Sequence, residues 1–294
     1  MLLLASPVVE NKKKKLKESF SFIKNKIQRP VKMGIILVGD SPASLKYIQH
    51  KKKFLNSLEV ECDIFHFPST LSQDSFETHL KTIAHNPLID GLLVQLPIPP
   101  SLHLLNFSSL VPFYKDVDGF HSTNIANLYY NLPNSLIPCT PKGILSLLDF
   151  YGHTFFQKSV VIMGRSFIVG RPMALLALNY GATVNILHSQ TLSTTKESLL
   201  TQADILILAT GVPKILTHQS LEKRSKSCVI VDVGINITQE GKIIGDSDVE
   251  TLFNSPYVSA ITPVPGGVGP MTIVSLAENL LLSRDLNTKI NGLT

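Results

Sequence analysis

The most explicit chemistry in the chain lies in KSVVIMGRSFIVGRPMALLALNYGATVNILHS, residues 158–189. An apolar run, Val160 to Met163, ends at Gly164, and Gly170 follows. Met173, Leu175, Leu176 and Leu178 then recur at helical spacing before a second apolar run, Thr183 to Leu187. Strand, glycine turn, helix and strand in that order place backbone N–H groups and the positive end of a helix at the carboxyl edge of a parallel sheet, where a pyrophosphate can bind. A dinucleotide is the expected guest. The second strand closes in His188, Ser189, Gln190 and Thr191, with no carboxylate to hold a ribose 2′-hydroxyl, and Arg165 stands beside the turn. A 2′-phosphate suits those groups, which favours NADP over NAD. The usual G-x-G-x-x-G spacing is absent, so the glycines alone also fit an ordinary parallel crossover.

Three other places hold side chains with chemical potential. Ser44, Tyr47, Ile48 and Lys51 are three or four residues apart and share one face of a helix. Gln95 closes an apolar run at a carboxyl strand end, the edge where parallel sheets bind ligands. Asp118 sits in the polar turn KDVDGF, residues 115–120. Taken alone these read blandly: Lys51 as a lysine snorkelling to water, Tyr47 and Gln95 as packing residues, Asp118 as an Asx cap. The stretch ITPVPGGVGPMT, residues 261–272, is too apolar for a flexible linker and runs straight into a helical pattern. A backbone loop touching a ligand is the better reading.

Composition removes several function classes. The chain has 294 residues, enough for one large or two medium domains, and 44% hydrophobic against 17% charged residues marks a globular protein. No apolar run approaches the roughly 18 residues of a membrane span. Met1 to Ala5 is apolar but lacks a preceding basic region and is soon interrupted by Pro7 and Glu10, so it makes a poor signal peptide, and a cytoplasmic location is expected. Cys62, Cys139 and Cys228 form no C-x-x-C, and the nine histidines show no ligand spacing, so no metal is expected. A net charge of +5 comes without basic and aromatic interleaving, which argues against nucleic acid and suits small anionic ligands.

The elements that must position these residues alternate. An amphipathic helix carrying Lys12 to Lys15 on a solvated face leads to a strand, Met33 to Val38. Ser41 as cap and Pro42 in the first turn open a helix toward Leu58. A strand from Val60 to Phe67, a helix from about Ser72 to His85 and a strand from Ile89 to Val94 follow. Pro138 to Pro141 mark a boundary, with Thr140 and Pro141 opening a helix through Tyr151. Strands from Asp204 to Ala209 and Cys228 to Val233 end beside Gly211 and Gly234, and Ile273 to Leu282 form a closing helix. Strand and helix in alternation give an α/β fold with parallel sheets.

In this order the stretches VGDSPASLKYIQHKKK (38–53), DGLLVQLPIP (90–99), KDVDGFHSTN (115–124), IPCTPKG (137–143), GRSFIVGRP (164–172), VIVDVGIN (229–236) and ITPVPGGVGPMT resemble the bifunctional methylenetetrahydrofolate dehydrogenase/methenyltetrahydrofolate cyclohydrolase family, the FolD type. The resemblance spans nearly the whole chain. It implies two α/β domains flanking a cleft: a folate domain of residues 1–138 completed by 268–294, and a Rossmann-like NADP domain of residues 139–267. It also implies a homodimer, no nucleic-acid or membrane partner, and two reactions, oxidation of 5,10-methylenetetrahydrofolate with NADP and hydrolysis of the methenyl product to 10-formyltetrahydrofolate. By the same resemblance Lys51, Tyr47, Gln95 and Asp118 are catalytic, with Lys51 as the group that moves protons. Gly164, Arg165, Ser166, Ser189 and Ile235 match cofactor positions. Val94, Leu96 and the run Pro265, Gly266, Gly267, Val268, Gly269, Pro270, Met271 and Thr272 line the folate. Alternative functions are a monofunctional or NAD-dependent dehydrogenase, or an NADP sensor without turnover. The chain departs from the family by lacking the Gly-Lys segment before its first helix and by having Leu58 and Glu59 where the catalytic helix usually ends in glycine.

Overall fold

The computed structural model describes residues 1–102 and 110–291. Its backbone packs as two units. One comprises Met1–Glu10 with Thr140–Thr272, and the other Asn11–Cys139 with the chain from Ile273 onward. The sequence reading instead placed residues 1–10 and 268–272 with the second of these. The reason for the difference is local bonding: Met1 and Leu3 bond to the strand at Ser259 and Ile261, and Ala5 N–H donates to Gly266 O at 2.9 Å. The last three residues of the expected 268–294 segment lie outside the described residues.

In the second unit, strand β1 (Lys32–Val38) lies between β2 (Glu61–Phe67) and β3 (Gly91–Val94), all parallel. Helix α1 (Ala5–Ile27) precedes β1, α2 (Pro42–Asn56) follows it, and α3 (Gln73–Ala84) joins β2 to β3. The Ser41 cap is present, its Oγ accepting from Ser44 N–H. On α3, Phe76, Leu80 and Ala84 recur every fourth residue and bury one stripe against Ile36, Val38, Ile89 and Leu92. Each fully buried large side chain of this kind contributes about 1.5–3 kcal/mol. Lys12 departs from the solvated-face reading, because its ammonium pairs with Glu278 at 2.6 Å. Helix α4 (Ser122–Tyr129), only eight residues long, has no counterpart in the sequence reading.

The other unit is organised on a five-stranded parallel sheet. Helix α5 (Cys139–Phe150) leads to β4 (Ser159–Met163), α6 (Gly170–Asn179), β5 (Thr183–Leu187), α7 (Ser193–Gln202) and β6 (Ile205–Leu208). Strand β7 (Cys228–Asp232), a hairpin of β8 (Asn236–Ile237) and β9 (Ile243–Ile244), helix α8 (Val249–Leu252) and β10 (Val258–Ile261) complete it. The order β10-β7-β6-β4-β5, read from the β5 edge and counted within this sheet, runs 2-1-3-4-5, so the winding reverses between β4 and β6. Ligands bind at such a switch point, outside the carboxyl strand ends. Helix α9 (Val268–Asn291) starts five residues before the expected Ile273. Pro270 does not prevent this, since first-turn N–H groups have no partner inside a helix.

Candidate functional site

Helix α2 carries the first cluster. Ser44 and Lys51 are buried on one face, with Tyr47 partly buried between them. Lys51 is 5% exposed, and its Nζ donates to Gln95 Oε1 at 2.9 Å. Gln95, just past the end of β3, donates its Nε2 to Leu96 O at 2.6 Å, which fixes which end of the amide faces the lysine. Nζ also lies 4.9 Å from the centroid of the Tyr47 ring. The snorkelling reading of Lys51 therefore fails. The Ser44 hydroxyl is buried and, among the described residues, has no hydrogen-bond partner.

Asp118 comes to this cluster from the turn before α4. Burial raises its carboxyl pKa, opposed by the charge of Lys51 and by a hydrogen bond with the Cys139 thiol. Burial lowers the Lys51 pKa, opposed by the charges of Asp118 and Cys139. Both members of the pair are thus driven toward their neutral forms. The Asx role the turn suggested for Asp118 is played by Asp116: its Oδ1 accepts from Gly119 N–H and its Oδ2 from His121 N–H and Asn124 Nδ2. Burial nonetheless moves the Asp116 carboxyl up to about 6. Those bonds leave Asp118 to face Lys51.

Two residues of this cluster escaped the sequence reading. Cys139, buried at the start of α5, places its thiol 3.3 Å from Val117 O. Asn279, buried on α9, donates Nδ2 to Val117 O at 2.9 Å and to Ile137 O at 2.8 Å, bracing the turn that carries Asp118. Cys139 was readable only as a structural thiol, and Asn279 sits in an apolar helical pattern with nothing local to mark it.

The glycine turn stands at the end of β4, on one side of the sheet's switch point. Gly164 has φ +121°, and a Cβ there would meet Ala209 O at 2.2 Å. A Cβ on Gly170 would meet Gly164 O at 2.2 Å. Both glycines are therefore sterically required, one by the approach of β6 and one by the turn itself. Ser166 ties the loop before α6: its Oγ accepts from Val169 N–H at 3.1 Å and Gly170 N–H at 3.4 Å. Arg165 is exposed, and its guanidinium reaches to 3.5 Å from Gln190 Oε1, in the polar turn after β5 that also holds Ser189. Ile235 is 61% exposed on the loop after β7, and Gly211, with open space around it, follows β6. Glycines at the strand ends, an exposed guanidinium beside hydroxyl and amide groups, and an exposed apolar side chain fit a phosphorylated dinucleotide.

The segment from Pro265 to Thr272 lies in the same unit as the glycine turn. Gly266 has φ +106°, and Val268 to Thr272 form the first turn of α9, where the Thr272 hydroxyl lies 3.4 Å from that of Thr140. No group of three or more His, Cys, Asp or Glu able to hold a metal ion occurs among the described residues.

Comparison with known proteins assigns a family to each part of the chain. Residues 138–288 match the tetrahydrofolate dehydrogenase/cyclohydrolase NAD(P)-binding domain, and residues 3–118 match the catalytic domain of the same family. The bifunctional protein FolD of Sulfurihydrogenibium sp. is 38% identical over 282 residues, 96% of each chain. The crystal structure of the bifunctional FolD methylenetetrahydrofolate dehydrogenase/cyclohydrolase from Campylobacter jejuni superposes with a TM-score of 0.91 at 37% identity, covering 98% of this chain and 99% of that one. A Trypanosoma brucei FolD structure, complexed with NADP cofactor and inhibitor, gives 0.90 at 25% identity, with 98% of each chain covered. The chain belongs to the tetrahydrofolate dehydrogenase/cyclohydrolase family, with the NAD(P)-binding and catalytic domains of a bifunctional FolD enzyme.

Proposed function

We propose that one folate site, built on Lys51, Tyr47, Gln95 and Asp118 and flanked by Val94 and Leu96, serves both reactions of the family. In this reading residues 139–267 hold NADP, and residues 1–138 with 268–294 form the folate domain. The observation that carries the reading is the buried Lys51 amine bonded to Gln95, with the Asp118 carboxyl as its electrostatic partner.

The first reaction moves a hydride from the bridging carbon of 5,10-methylenetetrahydrofolate and leaves a cation shared by two nitrogens. NADP, when bound, supplies the hydride acceptor. No protein group has to take a proton, so the side chains bind and orient, a contribution worth about 7–11 kcal/mol in ideal cases. Asp118 accepts hydrogen bonds from the pterin amino and ring N–H groups, and Tyr47 packs on the ring system.

The second reaction needs a base. Water adding to the methenyl carbon must lose a proton, and a ring nitrogen must gain one before the C–N bond opens to 10-formyltetrahydrofolate; one proton is released overall. Lys51 takes the first proton and returns one to the nitrogen. An ordinary lysine, with a pKa near 10.4, would stay charged at neutral pH. Burial lowers that value, and a cationic substrate alongside lowers it further. Gln95 can accept one amine N–H in either protonation state, which leaves the lone pair turned toward the substrate.

On the cofactor side Gly164 and Ser166 hold the phosphates, Arg165 and Ser189 the 2′-phosphate, and Ile235 packs on the nicotinamide. We also propose a homodimer formed about β5, the edge strand of its sheet, where Phe156, Tyr180, Ile186 and Leu192 are exposed. A second copy of the same strand would cover them about a two-fold axis. The thiols of Cys62, Cys139 and Cys228 are in no disulfide among the described residues, which suits a reducing compartment, the cytoplasm. Incubating the protein with methylenetetrahydrofolate and NADP+, while following NADPH and the methenyl intermediate separately, tests the reading. NADPH formation followed by decay of the methenyl species is the expected result. Accumulation of an undecayed methenyl species would remove the hydrolytic half.

A further inference from the structure

Two fully buried carboxylates in the NAD(P)-binding unit take no part in the mechanism above, yet between them they hold three loops. Asp232 closes β7, and its Oδ1 accepts from Gly234 N–H at 2.9 Å and Asp246 N–H at 3.0 Å. Its Oδ2 accepts from Ser247 N–H at 2.7 Å and from the Ser247 hydroxyl. Asp246 continues the chain of bonds. Its Oδ2 accepts from Thr210 N–H at 2.6 Å, the Thr210 hydroxyl at 2.8 Å and Gly211 N–H at 3.0 Å, and its Oδ1 accepts from Asn236 Nδ2 at 2.9 Å. Asp232 is 1% exposed and Asp246 0%. The bonds are all to neutral donors, and no ion pair to either group is found among the described residues.

The close fit is enforced sterically. A Cβ on Gly234 would lie 2.0 Å from Asp246 Oδ1, and one on Gly245 would lie 2.1 Å from Asp232 Oδ2. The groups held in this way are the two loops that end β6 and β7, Thr210–Gly211 and Gly234–Asn236. Ile235 lies between two tethered residues, with its side chain exposed. An exposed apolar side chain keeps one position only if its backbone is fixed from below, and here the fixing runs through buried carboxylates.

We propose that Asp246, with Asp232 beneath it, is a positioning residue for the cofactor: it locks the β6 and β7 loops into the shape that receives the nicotinamide end of the dinucleotide. The proposal rests on the reading that this unit binds NADP. A purely structural role would affect folding alone, whereas this one affects nucleotide affinity and spares the hydrolytic reaction, which needs no nucleotide.

Asp246→Asn tests it, because the amide fills the same volume but presents an NH2 where at least one donor now finds an acceptor. The expected result is a KM for NADP+ and a Kd for NADPH raised about ten- to a hundredfold, the cost of leaving one or two buried donors unpaired. Hydrolysis of methenyltetrahydrofolate should keep its wild-type kcat. An unchanged Kd for NADPH, with or without a lower melting temperature, would overturn the proposal. If Asp246→Asn loses both activities, Thr210→Val decides: it deletes a single donor to Asp246, and a severalfold weaker Kd for NADPH supports the proposal while wild-type affinity ends it. Wild-type protein that binds NADPH but turns nothing over would refute the enzymatic reading, and the Kd comparison would still judge this one.

Discussion

Replacing Lys51 with methionine separates the two reactions. The substitution keeps an unbranched side chain of similar length but removes the amine, so the buried cavity stays filled. Two effects on stability oppose each other: Gln95 Oε1 loses its donor, at about 1–3 kcal/mol, while a buried ammonium no longer has to be desolvated. The variant should therefore fold. Loss of a positioned base costs about 10²–10⁴-fold in the step that uses it, or about 3–5 kcal/mol of barrier. Hydrolysis of methenyltetrahydrofolate, followed as disappearance of the methenyl chromophore, should fall by that factor, while NADPH formation falls much less. The pH profile adds a sign. Because burial lowers the Lys51 pKa, hydrolysis should rise with pH through a value below the usual lysine range, and the variant should lose that rise. Stability follows by linkage: the unfolded chain binds this proton more tightly, so wild-type stability increases as pH climbs from the folded to the unfolded pKa, and the variant should lack the increase. A variant that hydrolyses at the wild-type rate, or that loses both reactions equally with NADPH still bound, would refute the assignment of Lys51 as the base.

Arg165→Ala should weaken NADP+ about tenfold or more, as expected for a lost hydrogen bond to a charged group, with little change for NAD+; equal losses for both cofactors in KM measurements would remove the 2′-phosphate role. Ile186→Arg on the edge strand should convert a dimer to a monomer in sedimentation, and a wild-type chain that sediments as a monomer would exclude the dimer outright. Glu59→Gly should leave the urea unfolding midpoint close to that of wild type, since relief of a left-handed backbone offsets the lost Lys24 pair and the added chain entropy; a clearly lowered midpoint would show that the side chain matters more than the backbone.

The Glu59 position shows how a departure in sequence can leave geometry intact. Where the family usually ends its catalytic helix in glycine, Glu59 adopts φ +64°, the conformation glycine would supply, and its carboxylate pairs with Lys24 at 2.9 Å. Local patterns were readable wherever one residue type has one structural use. Ser41 and Pro42 announce the start of α2, and Gly164 and Gly170 the turn after β4. Elements held by distant partners were not. Helix α4 is only eight residues long, and the hairpin of β8 and β9 is only two residues deep. The extra first turn of α9 was hidden because Pro and Gly read as loop unless the position within the helix is known.

The site divides along the same line. Lys51, Tyr47 and Ser44 could be placed on one helix face from spacing, but spacing cannot say whether that face meets water or protein, and the chemistry turns on that difference. In the fold the Lys51 amine meets Gln95 from the end of β3 and Asp118 from a turn that Asp116 ties down and Asn279 braces, 162 residues further along the chain. Each of these partners is polar and unremarkable in its own segment; Gln95 and Asn279 are buried, Asp116 and Asp118 partly so. Asp116 and Asp118 also show why a motif is insufficient: two carboxylates two residues apart are chemically identical in sequence, and only their hydrogen bonds separate them. Asp116 accepts from three donors in its turn and the helix that follows, while Asp118 interacts with the Cys139 thiol and the Lys51 charge. A carboxylate that is costly to bury and only partly compensated is suited to meet the N–H groups of a pterin, and burial lowers the pKa of the lysine beside it.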